Sequence, residues 1–442
     1  MTGRAPRIAV LGVLIALAAC TGASPRGGAP SSPITPSAPA TSDAPVLPPA
    51  GSGNGSALRA LHRLCTVPAL IEGPPARRRG PVPPFVQVVE RIAAARRGLE
   101  FVHQVPVDVL TDAELDARLR GILDASISDE QLARRTQAWA TIGVIPLEAD
   151  LERALRSYLA GQVLGFYLPE TDELVYAGSG DPSLIEGVVL AHELTHALDD
   201  QHFDLVRVDR LAAGCRDERS MAALGAVEGS AQYFATSAIP DLQPVADGIG
   251  SIDSGGGAPE VVPPFVRSLQ QWPYTAGTGF VQHRFAAGGA EAVNEAMRNL
   301  PVSTEQIIHP ERYPGDAPQP IDVPNLAPAF GPAWRDLDVM EIGEAWLRLA
   351  LSLRLEDEVA ERASSGWDGG IYRAWTDGEH TAVLVRTTWD TPDDAAEFAT
   401  AMRAWTGEGS AAAETLAPAG STADVAIGSD AVTLEMLRSA IG

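Results

Sequence analysis

The chain has 442 residues and a formal net charge of -24. This length allows one large domain or two modest ones. The negative charge argues against a nucleic-acid-binding protein, because contacts to phosphates need clustered Lys and Arg side chains.

The N-terminus carries the pattern of an export signal. Arg4 and Arg7 precede an apolar run at residues 8–17, which is too short to span a bilayer. The Leu-Ala-Ala-Cys sequence that follows resembles the lipobox of bacterial lipoproteins. It implies that residues 1–19 are a signal peptide and that Cys20 is lipidated, which places the chain on the extracytoplasmic face of the cell membrane, held by lipid. An ordinary signal peptide with a chance cysteine is the alternative.

A tether and a disulfide are predicted next. Residues 20–56 consist largely of Gly, Ser, Pro, Ala and Thr and cannot bury a core, so they predict a disordered tether. With Cys20 set aside, Cys65 and Cys215 remain, and two cysteines in an exported chain predict one disulfide. The alternative that either cysteine binds a metal is weaker, because neither has a second Cys or His at ligand spacing.

The region from 57 to 365 is predicted to be one mostly helical domain. Apolar spacing and capping residues favour helices at 85–97, 111–124, 128–141, 147–159, 182–201 (with Asp181 as cap and Pro182 at the first position), 216–237, 264–271, 278–287, 290–299, 303–309 and 338–363. Two strands are predicted at 163–168 and 173–177 around a turn, and a long loop at 240–264.

Residues 366–442 predict a small α+β region packed on that domain. A hairpin of residues 371–375 and 381–389 precedes a helix at 392–405 and a strand at 431–437. The expected fold class is therefore α+β and mostly helical, with a small sheet and a C-terminal appendage.

The strongest chemical signal is the sequence His-Glu-Leu-Thr-His at residues 192–196. On a helix, positions i and i+4 lie on one face, so His192 and His196 can direct two imidazoles at one metal ion. Glu193 lies beside them and can accept a proton from a zinc-bound water. The flanking residues are apolar, as a buried helix requires. Two core histidines beside a surface Glu are the alternative.

A catalytic zinc site needs a third protein ligand, and Glu228 is the best candidate. It lies mid-helix among Ala, Val and Gly, where a carboxylate needs a partner. An ion pair with an Arg is the alternative, and Asp217 and Glu218 are rival ligands. Asp217 lies on the same helix face as Glu228 and is preferred as a residue that orients a His ligand, with Asp200 as a further candidate for that role.

The motif followed by a Glu on a second helix resembles the gluzincin family of zinc metallopeptidases, over residues 160–235. The resemblance implies a zincin-like domain, two His and one Glu as zinc ligands, and an edge strand that holds the peptide, here near 173–177. The sequence departs from that family in having Gln232, not Asp, four residues after Glu228. Blocks such as residues 192–205 and 303–313 resemble a group of exported bacterial metallopeptidases.

Three further residues could stabilise the oxyanion of a peptide under attack. His309 and Tyr274 are the candidates, with Tyr313 behind them. A histidine that ends a helix and a core tyrosine are the respective alternatives.

The expected function is a lipid-anchored zinc metallopeptidase that acts on a peptide or protein. Two alternatives stay open: an inactive zinc-binding module at the cell surface, and a zinc amidase that acts on cell-wall material.

Overall fold

The computed structural model describes residues 55–65, 81–126, 128–159, 163–178, 183–246, 262–409 and 412–441. The expected signal peptide, the lipidation site Cys20, nearly all of the tether, and Asp181 with Pro182 lie outside these residues. The protein is α+β and mostly helical, which confirms the predicted fold class. None of the described helices is long and apolar enough to cross a bilayer.

The helices are numbered in chain order. Helices α1–α9 are Ser56–Leu64, Pro84–Arg97, Asp112–Ser126, Asp129–Ile142, Leu151–Leu159, Leu184–Phe203, Val206–Ala213, Asp217–Ser237 and Ile239–Leu242. Helices α10–α16 are Pro264–Arg298, Thr304–Ile308, Ala327–Phe330, Glu344–Leu351, Asp357–Ser364, Pro392–Gly407 and Ala431–Ile441. The strands β1–β8 are Val107–Leu110, Gly165–Leu168, Glu173–Ala177, Arg335–Glu341, Trp367–Thr376, Thr381–Trp389, Ala412–Thr415 and Thr422–Gly428.

A three-stranded sheet lies beside α6, in the order β1-β3-β2. Strand β1 pairs with β3 in parallel and β2 pairs with it antiparallel. The edge strand that the resemblance implies near 173–177 is therefore wrong, because β3 is the central strand, with β1 on one side and β2 on the other. Strand β2 is the edge strand that packs against α6.

A five-stranded antiparallel sheet, in the order β4-β5-β6-β8-β7, dominates the C-terminal part. Its faces are both covered, which explains why β5 is buried along its length. Tyr372 and Ala374 pack into the core that contains Trp346, whereas Ile371 and Trp375 face the core built with α1 and α16.

Two C-terminal predictions are wrong. The predicted helix at 338–363 is β4, α13 and α14, because the first residues of that segment pair with β5. The predicted strand at 431–437 is part of α16. Its start is capped by the Asp430 carboxylate, which accepts a hydrogen bond from the Thr433 N–H at 2.9 Å.

Helix α10 contains three predicted helices, those at 264–271, 278–287 and 290–299. It runs through Pro273 and then kinks at Gly288 and Gly289, which have non-helical backbone angles. The predicted break before 290 is thus real, whereas the predicted gap at 272–277 is helical.

Helices α8 and α10 cross with their backbones in contact at three glycines. A Cβ atom on Gly277 would overlap the carbonyl oxygen of Gly225, and one on Gly229 would overlap the backbone of Gly277. No larger residue fits at Gly229 or Gly277 without a shift of the backbone. The crossing places Tyr274, one turn before Gly277, against the stretch of α8 that carries Glu228.

We expect Gly277→Ala to destabilise the protein by about 1–3 kcal/mol. The added methyl group overlaps backbone atoms of Gly225, which cannot rotate away as a side chain can. The control is Gly279→Ala, where a Cβ atom meets nothing within 4 Å. That variant should be neutral or slightly stabilising, since alanine is the better helix former. Urea unfolding of both variants tests this, and equal stabilities would contradict the tight crossing.

Candidate metal centre

Helix α6 carries His192, Glu193 and His196. It begins with a capping box in which the Ser183 hydroxyl accepts from the Glu186 N–H and the Glu186 carboxylate accepts from the Ser183 N–H. Its cap is therefore Ser183, not the expected Asp181, since a Ser followed three residues later by a Glu satisfies both end groups. Nearly every residue from 187 to 199 is buried, so α6 runs through the interior of the protein.

Helix α8 brings Glu228 to the same point. Three ligand atoms, His192 Nε2, His196 Nε2 and Glu228 Oε2, converge here. They lie 3.1 Å apart between the two imidazoles, 3.2 Å between His192 and Glu228, and 3.3 Å between His196 and Glu228. Each of the three residues is at most 5% exposed.

This triangle fits a zinc ion. Ligand atoms about 2.0–2.1 Å from a tetrahedral zinc lie about 3.3–3.4 Å from one another, close to the three separations found. Among the described residues, these three form the one group of His, Cys, Asp and Glu side chains whose ligand atoms approach closely enough to share an ion. Two imidazoles and one carboxylate are also the donor set of a catalytic zinc site with an open fourth position.

The electrostatics of the three ligands agree with a cation site. Burial alone would raise the pKa of Glu228, but the charge of His196 and hydrogen bonds from both imidazoles hold that pKa at about 2. Burial lowers the pKa of His192. Burial opposes the charged form of His196 too, yet Glu228 outweighs it and raises the His196 pKa to about 9. The Glu228 carboxylate is therefore ionised, and it stabilises positive charge on the neighbouring His196.

Glu193 is buried beside the triangle without belonging to it. Its Oε2 accepts a hydrogen bond from the Tyr167 backbone N–H at 2.9 Å, while its Oε1 is buried and has no hydrogen-bond partner among the described residues. Burial raises the pKa of Glu193 to about 8. Strand β2 thus holds one oxygen and leaves the other ready for a ligand.

Tyr274 flanks the triangle from α10. Its ring stacks on the His192 imidazole, with centroids 6.0 Å apart and planes 28° from parallel. Its hydroxyl is buried, and its pKa is raised by burial first and by the charges of Glu228 and Glu193 next. That hydroxyl makes no well-formed hydrogen bond to any described residue. The unpartnered Oε1 of Glu193 and the Tyr274 hydroxyl, which interacts with the Glu228 carboxylate, therefore adjoin the same triangle.

Asp200 forms a hydrogen bond with a residue of β2 and not with a histidine. Its carboxylate accepts from the Tyr167 hydroxyl at 2.7 Å and from the Leu205 N–H at 2.7 Å. It therefore ties the strand that holds Glu193 to the end of α6. Its hydrogen bonds go to neither histidine ligand, so the prediction that it orients one is wrong.

Asp217 lies away from the triangle. Its carboxylate pairs with Arg135, with the nearest atoms 3.3 Å apart, at the first turn of α8. The prediction that it orients a histidine ligand is wrong. Asp217 and Glu228 do share a helix face, but the eleven residues from one to the other place them about 16 Å apart along the helix axis.

His309 also lies elsewhere. It is the C-cap of α11, and its Nε2 is 3.0 Å from Glu344 Oε1. The hydrogen bond with Glu344 raises its pKa. These contacts fit the helix-ending alternative, not a catalytic role. Tyr313 donates its hydroxyl to the Asn299 carbonyl at 2.6 Å and is likewise structural.

A buried ion pair that was not predicted from the sequence fixes α6 against its neighbours. Asp199 accepts from Arg97 Nε at 2.7 Å and from the Ser230 hydroxyl at 2.7 Å, and both Asp199 and Arg97 are fully buried. Ser230 is two residues after Glu228 on α8. Asp199 thereby connects the helix with the two histidines to the helix with the third ligand.

A further buried carboxylate, that of Glu170, lies at the turn between β2 and β3. Both oxygens of Glu170 are buried without a hydrogen-bond partner among the described residues. Burial raises the Glu170 pKa to about 7, and the neighbouring Asp200 charge adds to this. Protonated Glu170 therefore favours the folded state below pH 4.5, and this contribution is lost as the pH rises through 7.

We expect Glu170→Gln to be more stable than the parent by about 2–3 kcal/mol above pH 8, because the glutamine cannot ionise. Near pH 4 the two proteins should be about equally stable. Urea unfolding at both pH values tests this, with exposed Glu100→Gln as control. A difference that does not change with pH would contradict it.

Comparison with known proteins adds little about this centre. Residues 335–438 match the model of a family described as a domain of unknown function, DUF8575. That segment holds the five-stranded sheet and excludes all three ligand residues. The chain has no match among the curated proteins or the solved structures.

Proposed function

We propose that the chain is a zinc-dependent peptidase whose zinc is held by His192, His196 and Glu228. The observation that carries this proposal is the near-equilateral triangle of ligand atoms with the unpartnered Oε1 of Glu193 beside it. A purely structural zinc site has no use for such a carboxylate, because structural sites are closed by four protein ligands. The resemblance to gluzincins points the same way.

The roles of the residues follow from their positions. A bound zinc ion would polarise the substrate carbonyl and acidify the attacking water. Glu193 Oε1 accepts the proton of that water and delivers it to the leaving amine. The Tyr167 N–H holds the other oxygen of Glu193, so that the carboxylate stays in place during both transfers.

We assign to Tyr274 the role of stabilising the oxyanion that develops on the substrate carbonyl. Its hydroxyl is buried beside the Glu228 carboxylate and can donate to the carbonyl oxygen as negative charge develops there. We expect Tyr274→Phe to lower kcat by about 100-fold with little change in KM, because the ring that stacks on His192 stays. Steady-state kinetics and urea unfolding check this. An unchanged kcat would make Tyr274 a core residue.

The experiment on function is digestion of a broad peptide library by the zinc-loaded chain, with product ends read by mass spectrometry. Chelation should stop cleavage and zinc should restore it. Cleavage of cell-wall stem peptides alone would favour the amidase, and bound zinc without any cleavage would favour the inactive surface module.

We also propose that lipid on Cys20 anchors the chain outside the cell. Metabolic labelling with a fatty-acid analogue should mark the parent chain and not Cys20→Ser. Equal labelling of both would disprove the anchor.

A further inference from the structure

Helix α10 carries a row of polar side chains that starts at the metal centre. Arg267, Gln271 and Tyr274 follow one another at helical spacings of four and three residues, so they lie on the same face of the helix. Tyr274 is buried against His192, whereas Gln271 and Arg267 are partly exposed. The row therefore runs from the triangle of ligand atoms towards the surface of the protein.

The hydroxyl of Tyr158, on α5, connects the members of this row. Burial raises the pKa of Tyr158, while a hydrogen bond with Gln271 and the charge of Arg267 oppose that rise. Burial is the largest cause of the raised pKa of Tyr274, and Tyr158 is a further one. The four polar groups are therefore neighbours along one side of the metal centre.

Arg267 is a cation without a counter-ion among the described residues. Its Nε is buried and has no hydrogen-bond partner, and its Nη2 donates to the Val262 carbonyl at the long distance of 3.4 Å. By contrast, the buried guanidinium groups of Arg97, Arg135 and Arg373 each pair with an aspartate at 2.7 Å. A positive charge that is partly removed from water is costly unless an anion neutralises it.

The position of Arg267 in α10 does not account for its charge either. Arg267 lies in the first turn of the helix, which begins at Pro264, and no acidic residue accompanies it there. The helix dipole places partial positive charge at this end, which favours a carboxylate over a guanidinium. An anionic ligand would offset both unfavourable contributions.

We propose that Arg267 binds a carboxylate of the peptide substrate and thereby selects the peptides that are cleaved. This selection rests on the proposed peptidase function. The seven residues from Arg267 to Tyr274, to which we assign the oxyanion, correspond to about 10 Å along the helix axis. An extended peptide advances about 3.4 Å per residue, so the carboxylate lies about three residues from the bond that is cleaved. It is the C-terminal carboxylate of the peptide or the side chain of an Asp or Glu.

The test compares three pools of short fluorescent peptides, blocked at the N-terminus, as substrates of the zinc-loaded chain. The first pool ends in a free carboxylate and the second in an amide, and neither contains Asp or Glu. The third ends in an amide and contains one Glu at varied positions. A carboxylate that a guanidinium binds should raise kcat/KM about 10- to 100-fold above that of the neutral second pool. Preference for the first pool identifies the chain terminus as the ligand, and preference for the third identifies a side chain.

The variant Arg267→Gln should reduce that preference to about one, and Arg267→Lys, which keeps the charge, should restore part of it. The control is Arg298→Gln, at the other end of α10, where the guanidinium already pairs with Glu291. This control should keep the preference of the parent. Because each preference is a ratio measured on one protein sample, a loss of stability in a variant does not imitate the result.

No preference for either carboxylate pool in the parent, or a preference that Arg267→Gln keeps, would overturn the proposal. Fluorescence anisotropy with the same peptides measures binding separately from cleavage. Binding that favours carboxylate peptides and requires Arg267, without any cleavage, would support the carboxylate site and contradict the peptidase. Cleavage without such a preference would do the reverse, and peptides that are neither bound nor cleaved would overturn both.

Discussion

Glu193→Gln should abolish peptide cleavage while the chain still binds zinc. The amide cannot accept the proton of the attacking water, and loss of a general base lowers rates by up to about 10⁴-fold. Zinc content should not change, because Glu193 is not one of the three ligand residues. The amide oxygen can still accept from the Tyr167 N–H, so the local structure should survive. Single-turnover kinetics and metal analysis of the same sample provide the measurement.

The matched control is Glu344→Gln, which removes a buried carboxylate that pairs with His309 and lies outside the triangle. This variant should keep the parent rate. A Glu193→Gln protein that cleaves peptide within about tenfold of the parent rate would show that another group takes the proton.

Arg97→Met should cost about 3–5 kcal/mol of stability, the largest loss that we expect from one substitution outside the metal ligands. Arg97 is fully buried and donates to Asp199 at 2.7 Å and to Asn294 Oδ1 at 2.8 Å. Its guanidinium also lies 5.0 Å from the centre of the Phe234 ring. The substitution leaves the Asp199 charge buried with only the Ser230 hydroxyl as partner.

The double variant Arg97→Met with Asp199→Asn separates the two causes of that loss. If the uncompensated charge dominates, the second substitution should recover much of the stability in urea unfolding. A loss below about 1 kcal/mol in the single variant would mean that the ion pair does not hold α6 against α2.

Sequence patterns predicted the parts of the centre that depend on local geometry. His192 and His196 lie together because four helical residues return to the same face. Glu228 was identified because a carboxylate among small apolar residues needs a cation or a partner. Both inferences use only the spacing and the surroundings of the residues along one helix.

The features that the sequence did not reveal depend on contacts between distant segments. The Tyr167 N–H that holds Glu193 is a backbone group and has no residue signature. Arg97 reaches Asp199 across 102 positions of chain, and β1 pairs with β3 across 67 (174 − 107). The role predicted for Asp217 is wrong because a shared helix face does not determine how far apart two residues are along the helix axis.

The most direct test of the central claim is the zinc content of the purified chain at neutral pH. The triangle predicts about one tightly bound zinc ion per chain, retained in His283→Ala, which changes an exposed histidine, and lost in His196→Ala. A parent chain without zinc, or an equal zinc content in His196→Ala, would contradict it. His192, His196 and Glu228 would then be a buried hydrogen-bonded cluster and not a metal centre.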